Sequence, residues 1–214
     1  MSAAPAGGSS VEVEKKYDVD ADTPLPDWST LPGVARVGDA EPRDLDARYV
    51  DTPDTALARA GVAVRRRRGG PDEGWHVKGP LEGGGRRETQ WPLGDVTDDD
   101  ADPVVPEAVQ DAVSSLAQPP FLPLARVRNA RTAYALLDAE GREVAEFVDD
   151  RVRARDERRD AESAWREWEV ELGPAAPADD AERAAFFAAV DQAVFAAGGR
   201  PAASGSKLAR ALGH

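Results

Sequence analysis

Between Glu167 and Leu172 the chain reads Glu-Trp-Glu-Val-Glu-Leu, a strict alternation of carboxylate and apolar side chain. Successive side chains on a strand point to opposite faces, so Glu167, Glu169 and Glu171 share one face, and Trp168, Val170 and Leu172 the other. The N-terminal segment Val11–Val19 alternates in the same way and places Glu12, Glu14 and Lys16 on one face. At about 3.3 Å per residue those three side chains project over about 13 Å of strand. Arg65 and Arg67 fall opposite Val64, and Glu146 is in phase with Asp150. Any one of these segments reads as an amphipathic strand with a solvated polar face. Together they divide the charges, with carboxylates on some strands and guanidinium and ammonium groups on others. Like charges on one strand face repel unless cations sit between them. Antiparallel strands that are apolar on one face and charged on the other can curl into a barrel with a polar bore. Such a bore sets a carboxylate patch, suited to Mg²⁺ or Mn²⁺, against a basic patch suited to phosphates. That layout is the one metal-assisted phosphoryl transfer needs.

The rest of the chain reads as a strand-rich α+β domain of about eight strands. Further strands are expected near 34–37, 48–51, 62–68, 75–78, 86–93, 125–137 and 143–153. Thr55–Ala60 reads as one helical turn, Pro106–Ala117 as a helix, and Ala181–Ala197 as a longer helix stopped by Gly198-Gly199. In that longer helix Phe186, Phe187, Val190, Val194 and Phe195 have core spacing. The tail SGSKLARAL, residues 204–212, reads as a short helix. Residues 1–10 are small and polar and are expected to be disordered, 94–102 are acidic and turn-like, and 11–214 are expected to form one domain.

Composition removes several chemistries. There is no cysteine, hence no disulfide, thiol catalysis or cysteine metal site. Two histidines, His76 and His214, make no cluster, so any metal is expected to be hard and oxygen-bound. A net charge of −13 argues against a nucleic-acid or membrane-surface binder. No run approaches the length of a membrane helix, and the cytosol is the expected setting. Of 27 basic residues only Lys15, Lys16, Lys78 and Lys207 are lysine. Where arginine is the default cation, a lysine marks a place that needs a compact ammonium.

These residues resemble the CYTH domain of the triphosphate tunnel metalloenzyme superfamily. The family's ExExK signature stands here as Glu12-Val13-Glu14-Lys15-Lys16, and its paired arginines as Arg65 and Arg67 downstream of Tyr49-Val50-Asp51-Thr52. Lys78 in WHVKGP, Arg86 and Glu88, Arg131, Glu146 and Asp150, the ExExE strand Glu167–Glu171 and Ser206-Lys207 follow in the family's order. The likeness spans residues 11–212, and three of the four lysines fall on it. A proline-rich stretch at 24–46 is longer than a minimal member requires.

The resemblance implies an eight-stranded antiparallel β-barrel, a tunnel with helices packed on its outside. It implies that Glu12, Glu14, Glu169 and Glu171 hold Mg²⁺ or Mn²⁺, and that Lys16, Arg65, Arg67, Lys78, Arg86, Arg131 and Lys207 bind the phosphates. It further implies that Glu167, Glu146 and Asp150 orient the attacking water or the outer waters of the metal. The implied activity is metal-dependent hydrolysis of a triphosphate, foremost inorganic tripolyphosphate. Thiamine triphosphatase, class IV-type adenylyl cyclase and a noncatalytic polyphosphate- or nucleotide-binding module are the alternatives. The expected partner is a small anionic triphosphate, with neither nucleic acid nor membrane, and the expected state is a monomer or homodimer. Outside the pattern, Arg66, Arg68 and Lys15 read as surface charges, His76 as a structural histidine, and Trp75, Trp91, Trp165 and Trp168 as packing residues.

Overall fold

A computed structural model describes residues 7–94 and 101–214. In chain order the elements are β1 (Gly8–Glu12), β2 (Glu14–Val19), β3 (Arg36–Val37), β4 (Glu41–Asp51), α1 (Ala56–Arg59), β5 (Ala63–Arg68), β6 (Gly74–Glu82), β7 (Gly85–Trp91), α2 (Glu107–Val113), β8 (Leu122–Leu137), β9 (Glu143–Asp156), β10 (Ala161–Leu172), α3 (Asp180–Ala197), β11 (Arg200–Pro201) and α4 (Lys207–Ala211). All ladders are antiparallel and run in the order β1-β7-β6-β5-β4-β8-β9-β10-β2-β11, with β3 added alongside β8.

The sheet therefore has 11 strands on an open path, not eight in a closed ring. Two causes account for the difference. The N-terminal segment expected to be one strand breaks at Val13. Glu12 pairs with Arg86 on β7, whereas Glu14 pairs with Glu171 on β10, so the covalent chain joins the two arms of the sheet where no ladder does. In addition, β11 is a two-residue strand, too short to leave a periodic signal, whereas the two-residue β3 falls within the strand expected at 34–37. The disorder expected over residues 1–10 meets a strand at Gly8–Ser10, paired with Glu88–Gln90; residues 1–6, and most of the acidic 94–102 turn, lie outside the described residues.

Apolar residues on the outer face build two cores. Tyr17, Phe147, Trp168 and Val170 are covered by Phe186, Val190 and Val194 of α3 and by Trp28 and Leu31 of the proline-rich stretch. Burying side chains of this size contributes about 1.5–3 kcal/mol each. Asp179 caps α3 by accepting from the Ala181 and Glu182 amides, and Gly198 at φ 102 ends it, as expected. Phe195 is half-exposed and rests edge-on against Tyr17 instead of entering the core. The second core joins Val50, Val64, Trp75 and Trp91 to Leu57 of α1 and to Val109 and Val113 of α2. The buried Asp51 carboxylate accepts from the Thr52, Leu57 and Ala58 amides and so fixes α1 against β4.

One helix departs from the outside packing the resemblance implies. Leu208 and Ala211 of α4 pack against Ala47, Tyr49, Val127, Val152 and Ala154, which are in phase with the inward-facing charges, so α4 forms an apolar floor on the inner face. Among the described residues no helix is long and apolar enough to cross a membrane.

Candidate active site

Inward-facing residues of β1, β2 and β4–β10 enclose a cavity of about 540 Å³. Strand alternation brings them there. Lys16, Arg65, Arg67, Lys78, Arg86, Arg131 and Lys207 line it together with Glu12, Glu14, Glu146, Glu169 and Glu171, so these residues converge as the sequence predicts. Asp150 and Glu167 do not line it. Asp150 is fully buried, accepts from Arg131 at 2.8 and 2.7 Å and lies 2.8 Å from Lys207 Nζ; Glu167 lies 2.6 Å from the same Nζ. That position corrects the role expected of them: both are braces behind the cavity wall, and of the three predicted catalytic carboxylates only Glu146 faces the cavity.

The structure groups the carboxylates differently from the implied metal set. Asp150, Glu167 and Glu169 present ligand atoms within 4.8 Å of one another, a cluster that could hold a cation. Lys207 Nζ already sits 2.6–2.8 Å from all three. Burial by itself would raise Asp150 and Glu169, but Lys207 and Arg131 reverse this for Asp150, and Lys16 and Lys207 for Glu169, so both stay below the ordinary carboxylate range. Glu169 also binds Lys16, which reaches Glu14 at 2.7 Å, and Arg131 at 2.8 Å.

On the opposite flank Glu12 meets Lys78 at 2.7 Å, and Lys78 meets Glu88 at 3.1 Å. Burial, followed by Glu88, pushes Glu12 up to about 7. Glu171 stands directly across the ladder from Glu14 and has no hydrogen-bond or ion-pair partner among the described residues. Burial, then the Glu14 charge, pushes it up to about 7 as well. Glu12, Glu14 and Glu171 thus form a pole in which three carboxylates share two lysines, Lys78 and Lys16, each also held by a further carboxylate, a donor set that fits a hard divalent cation.

The arginines cluster on the same cavity wall as Glu88, which Arg65 reaches at 3.4 Å. Arg65 and Arg67 project from β5, with Tyr49 and Ala47 opposite them on β4 and Arg131 on β8 beyond. The buried Nε–H groups of Arg65 and Arg67 have no acceptor among the described residues. Burial, then repulsion by Arg65 and Arg131, lowers Arg67 to about 9, although it pairs with Asp72 at the cavity edge. Crowded, incompletely hydrogen-bonded guanidinium groups suit an anion with several oxygens.

His76 is buried and inward, with Nδ1 2.6 Å from Glu88 Oε1 and Nε2 2.9 Å from the Asp72 carbonyl, which fits its structural reading. Trp75, Trp91, Trp165 and Trp168 pack, Trp168 and Trp75 fully. Lys15 is 39% exposed and binds Asp191 of α3 at 2.7 Å, in keeping with a surface lysine, whereas Arg66 is buried on the outer face and is not the surface charge expected. Sequence reasoning missed Arg43, Tyr49 and Asn129, all of which line the cavity. Arg43, Leu45, Ala47 and Tyr49 do alternate, but the polar run Glu41–Asp46 hid the start of an 11-residue strand.

Residues 10–189 match the CYTH domain family. Two uncharacterised proteins from strains of Mycobacterium tuberculosis are each 36% identical over 221 residues, which takes in 98% of this chain and 42% of theirs; the chain spans less than half the length of these curated relatives. Among solved structures, a candidate adenylate cyclase from Bacillus halodurans superposes with a TM-score of 0.61 at 16% identity, covering 95% of this chain and 98% of its own. A Hippeastrum protein, described as a candidate adenylyl cyclase with a dominant triphosphatase activity, gives 0.53 at 16% identity, covering 94% and 95%. At these identities the likeness is one of fold, and it agrees with the family match over most of the sequence. The chain belongs to the CYTH domain family.

Proposed function

We propose that the cavity binds a triphosphate and, with a divalent cation, hydrolyses it at the terminal phosphate, with inorganic tripolyphosphate as the preferred substrate. The observation that carries this reading is one cavity that holds both guanidinium groups with unmet N–H donors and a carboxylate group whose Glu171 has no counter-ion among the described residues. Each group lacks what a metal–triphosphate complex would bring. The triphosphatase activity in the Hippeastrum protein's description points the same way. Tripolyphosphate is favoured because Tyr49 is the one aromatic among the described lining residues, which leaves little to stack a base or thiazole ring.

In this reading Arg65, Arg67, Arg131, Lys16, Lys78, Arg86 and Lys207 take the phosphate oxygens, the arginines through paired N–H donors. Glu12, Glu14 and Glu171, with Glu169 at their edge, would hold Mg²⁺ or Mn²⁺. Bound there, the ion would neutralise phosphate charge and make a coordinated water more acidic. Glu146, held by Arg43 at 2.9 Å and facing the cavity, is placed to accept the proton of the attacking water.

The test is phosphate release from tripolyphosphate, thiamine triphosphate and ATP with Mg²⁺, Mn²⁺ or EDTA, with Glu171→Gln alongside. Release from tripolyphosphate only with a divalent ion, lost in Glu171→Gln, is expected. Folded protein that binds tripolyphosphate without releasing phosphate would refute hydrolysis in favour of a binding module, and cyclic AMP from ATP would favour a cyclase.

A further inference from the structure

Three of the cations assigned to the phosphates, Arg65, Arg67 and Lys78, stand on the neighbouring strands β5 and β6, where they repel one another. Long side chains also lose rotamer freedom when they bind, so a site gains affinity when something holds them in place beforehand. His76 occupies the centre of this group. It lies directly opposite Arg65 on β5, opposite Gln90 on β7, and two residues before Lys78 on its own strand. It is 1% exposed and does not line the cavity, so it acts on a bound anion only through its neighbours.

Its two ring nitrogens reach in two directions. Nδ1 is 2.6 Å from Glu88 Oε1. The same oxygen accepts from Arg65 Nη2 at 3.4 Å, and the Glu88 carboxylate lies 3.1 Å from Lys78 Nζ through Oε2. Nε2 is 2.9 Å from the Asp72 carbonyl oxygen. That oxygen also accepts from Gln90 Nε2 at 3.1 Å and from Arg67 Nη2 at 3.5 Å, and the Asp72 carboxylate pairs with Arg67. Asp72 belongs to the 69–74 loop, where Gly69 and Gly70 sit at φ 78 and 79. Such a backbone has freedom to lose, and the contacts at the Asp72 carbonyl remove it. Arg65 and Arg67 are thereby gripped at their terminal nitrogens, while the Nε–H of each has no acceptor among the described residues. Packing alone accounts for a buried ring, which an apolar side chain would also supply. It does not account for both nitrogens being spent on the two groups that hold the phosphate cations. Resting on the reading of this cavity as a triphosphate site, we propose that His76 is a positioning residue for phosphate binding. Through Glu88 it aims Arg65 and Lys78, and through the Asp72 carbonyl it sets the loop that holds Arg67.

The test measures tripolyphosphate binding by calorimetry in EDTA, and steady-state phosphate release with Mg²⁺, for the wild type, His76→Phe and His76→Asn, with circular dichroism as the check of folding. Phenylalanine fills the space of the ring without a polar atom. Asparagine carries an amide to the Nδ1 position and keeps the Glu88 contact alone. In His76→Phe both Kd and KM should rise by about 10–150-fold, the range for a lost hydrogen bond to a charged group, and kcat should fall less than KM rises. His76→Asn should recover part of that affinity, although it packs the site less well, which a role in packing alone would not produce. Should His76→Phe fail to fold, His76→Gln takes its place, since its amide reaches the Nε2 position and leaves Glu88 unheld; its Kd must then exceed that of the wild type. Folded variants that bind as the wild type does, variants that lose kcat at an unchanged Kd, or an asparagine no better than phenylalanine overturn the role of His76 alone. A wild type that binds no triphosphate overturns the reading of the cavity and this role with it. A wild type that binds tripolyphosphate without releasing phosphate overturns hydrolysis, and the Kd series still decides for or against His76.

Discussion

Replacing Lys207 by methionine removes one ammonium from the centre of three carboxylates and leaves the packing of α4 otherwise intact. Lys207 Nζ is 2.8 Å from Asp150, 2.6 Å from Glu167 and 2.7 Å from Glu169. Asp150 is fully buried and the other two nearly so, so the negative charge left behind cannot be hydrated. Removing one partner of a buried ion pair costs about 3–5 kcal/mol, and Arg131, which still binds Asp150 and Glu169, sets the lower end as the expectation. For a domain of this size that is a fall in Tm of about 6–20 °C, at about 2–4 °C per kcal/mol. The pH dependence fixes the cause. In the wild type Asp150 and Glu169 lie below their unfolded values, so their stabilisation is complete above the ordinary carboxylate range and is lost as pH falls through the folded values. In Lys207→Met burial is opposed less strongly and raises the carboxylates, so their protonation relieves the variant first. Urea denaturation followed by tryptophan fluorescence at pH 8 and pH 5 reads both effects. The deficit should be largest at pH 8 and shrink at pH 5, and Asp150→Asn added to the variant should recover part of it. A deficit below about 1 kcal/mol, the scale of an exposed pair, or one that does not change with pH, would refute the claim that Lys207 is the internal counter-ion of this cluster.

Arg67→Met removes a charge-assisted donor of the kind worth about 1.5–3 kcal/mol, so KM for tripolyphosphate should rise about 10–150-fold with the fold intact, as steady-state phosphate release would show. Phe186→Ala should cost about 3–5 kcal/mol in urea denaturation, yet leave kcat unchanged well below the melting range, since Phe186 packs on the outer face away from the cavity. Gly69→Ala should be destabilising by more than the about 1–2 kcal/mol of a left-handed residue alone, because Gly69 sits at φ 78 and a Cβ there would meet the Asp44 carbonyl oxygen at 2.0 Å; the same denaturation measurement applies.

The strand alternations carried most of the site into view before any coordinates. A residue's phase along a strand decides which face it occupies, and the inward phase of Lys16, Arg65, Arg67, Lys78, Arg131 and Glu169 was legible from neighbours such as Val64, Trp168 and Val170. Phase says nothing about which inward residues touch. Glu167 and Asp150 share the phase of the cavity carboxylates, but they face each other on adjacent strands beneath Lys207, a pairing set by the β9–β10 register. Likewise α4 was legible as a helix, while its seat on the inner face depends on Leu208 and Ala211 meeting Ala47, Val127 and Ala154 from three distant strands. The break at Val13 was invisible because alternation continues through it, and only the pairing of Glu12 and Glu14 with different partners reveals the change. Arg43 was lost for a local reason: its strand begins in a polar, proline-containing run that mimics a loop.

The junction at Val13 also sets an order of events during synthesis. Lys16 leaves the ribosome 153 positions ahead of Glu169, the residue it pairs with on β10. At about 5–20 residues per second the nascent N-terminal segment waits roughly 8–30 s for that strand to be made. Within that interval β1 can pair once β7 has been made, but β2 has no partner strand until β10 appears, so the carboxylate pole does not yet exist. The carboxylate pole is therefore completed late, as the second arm closes onto a segment made well before it.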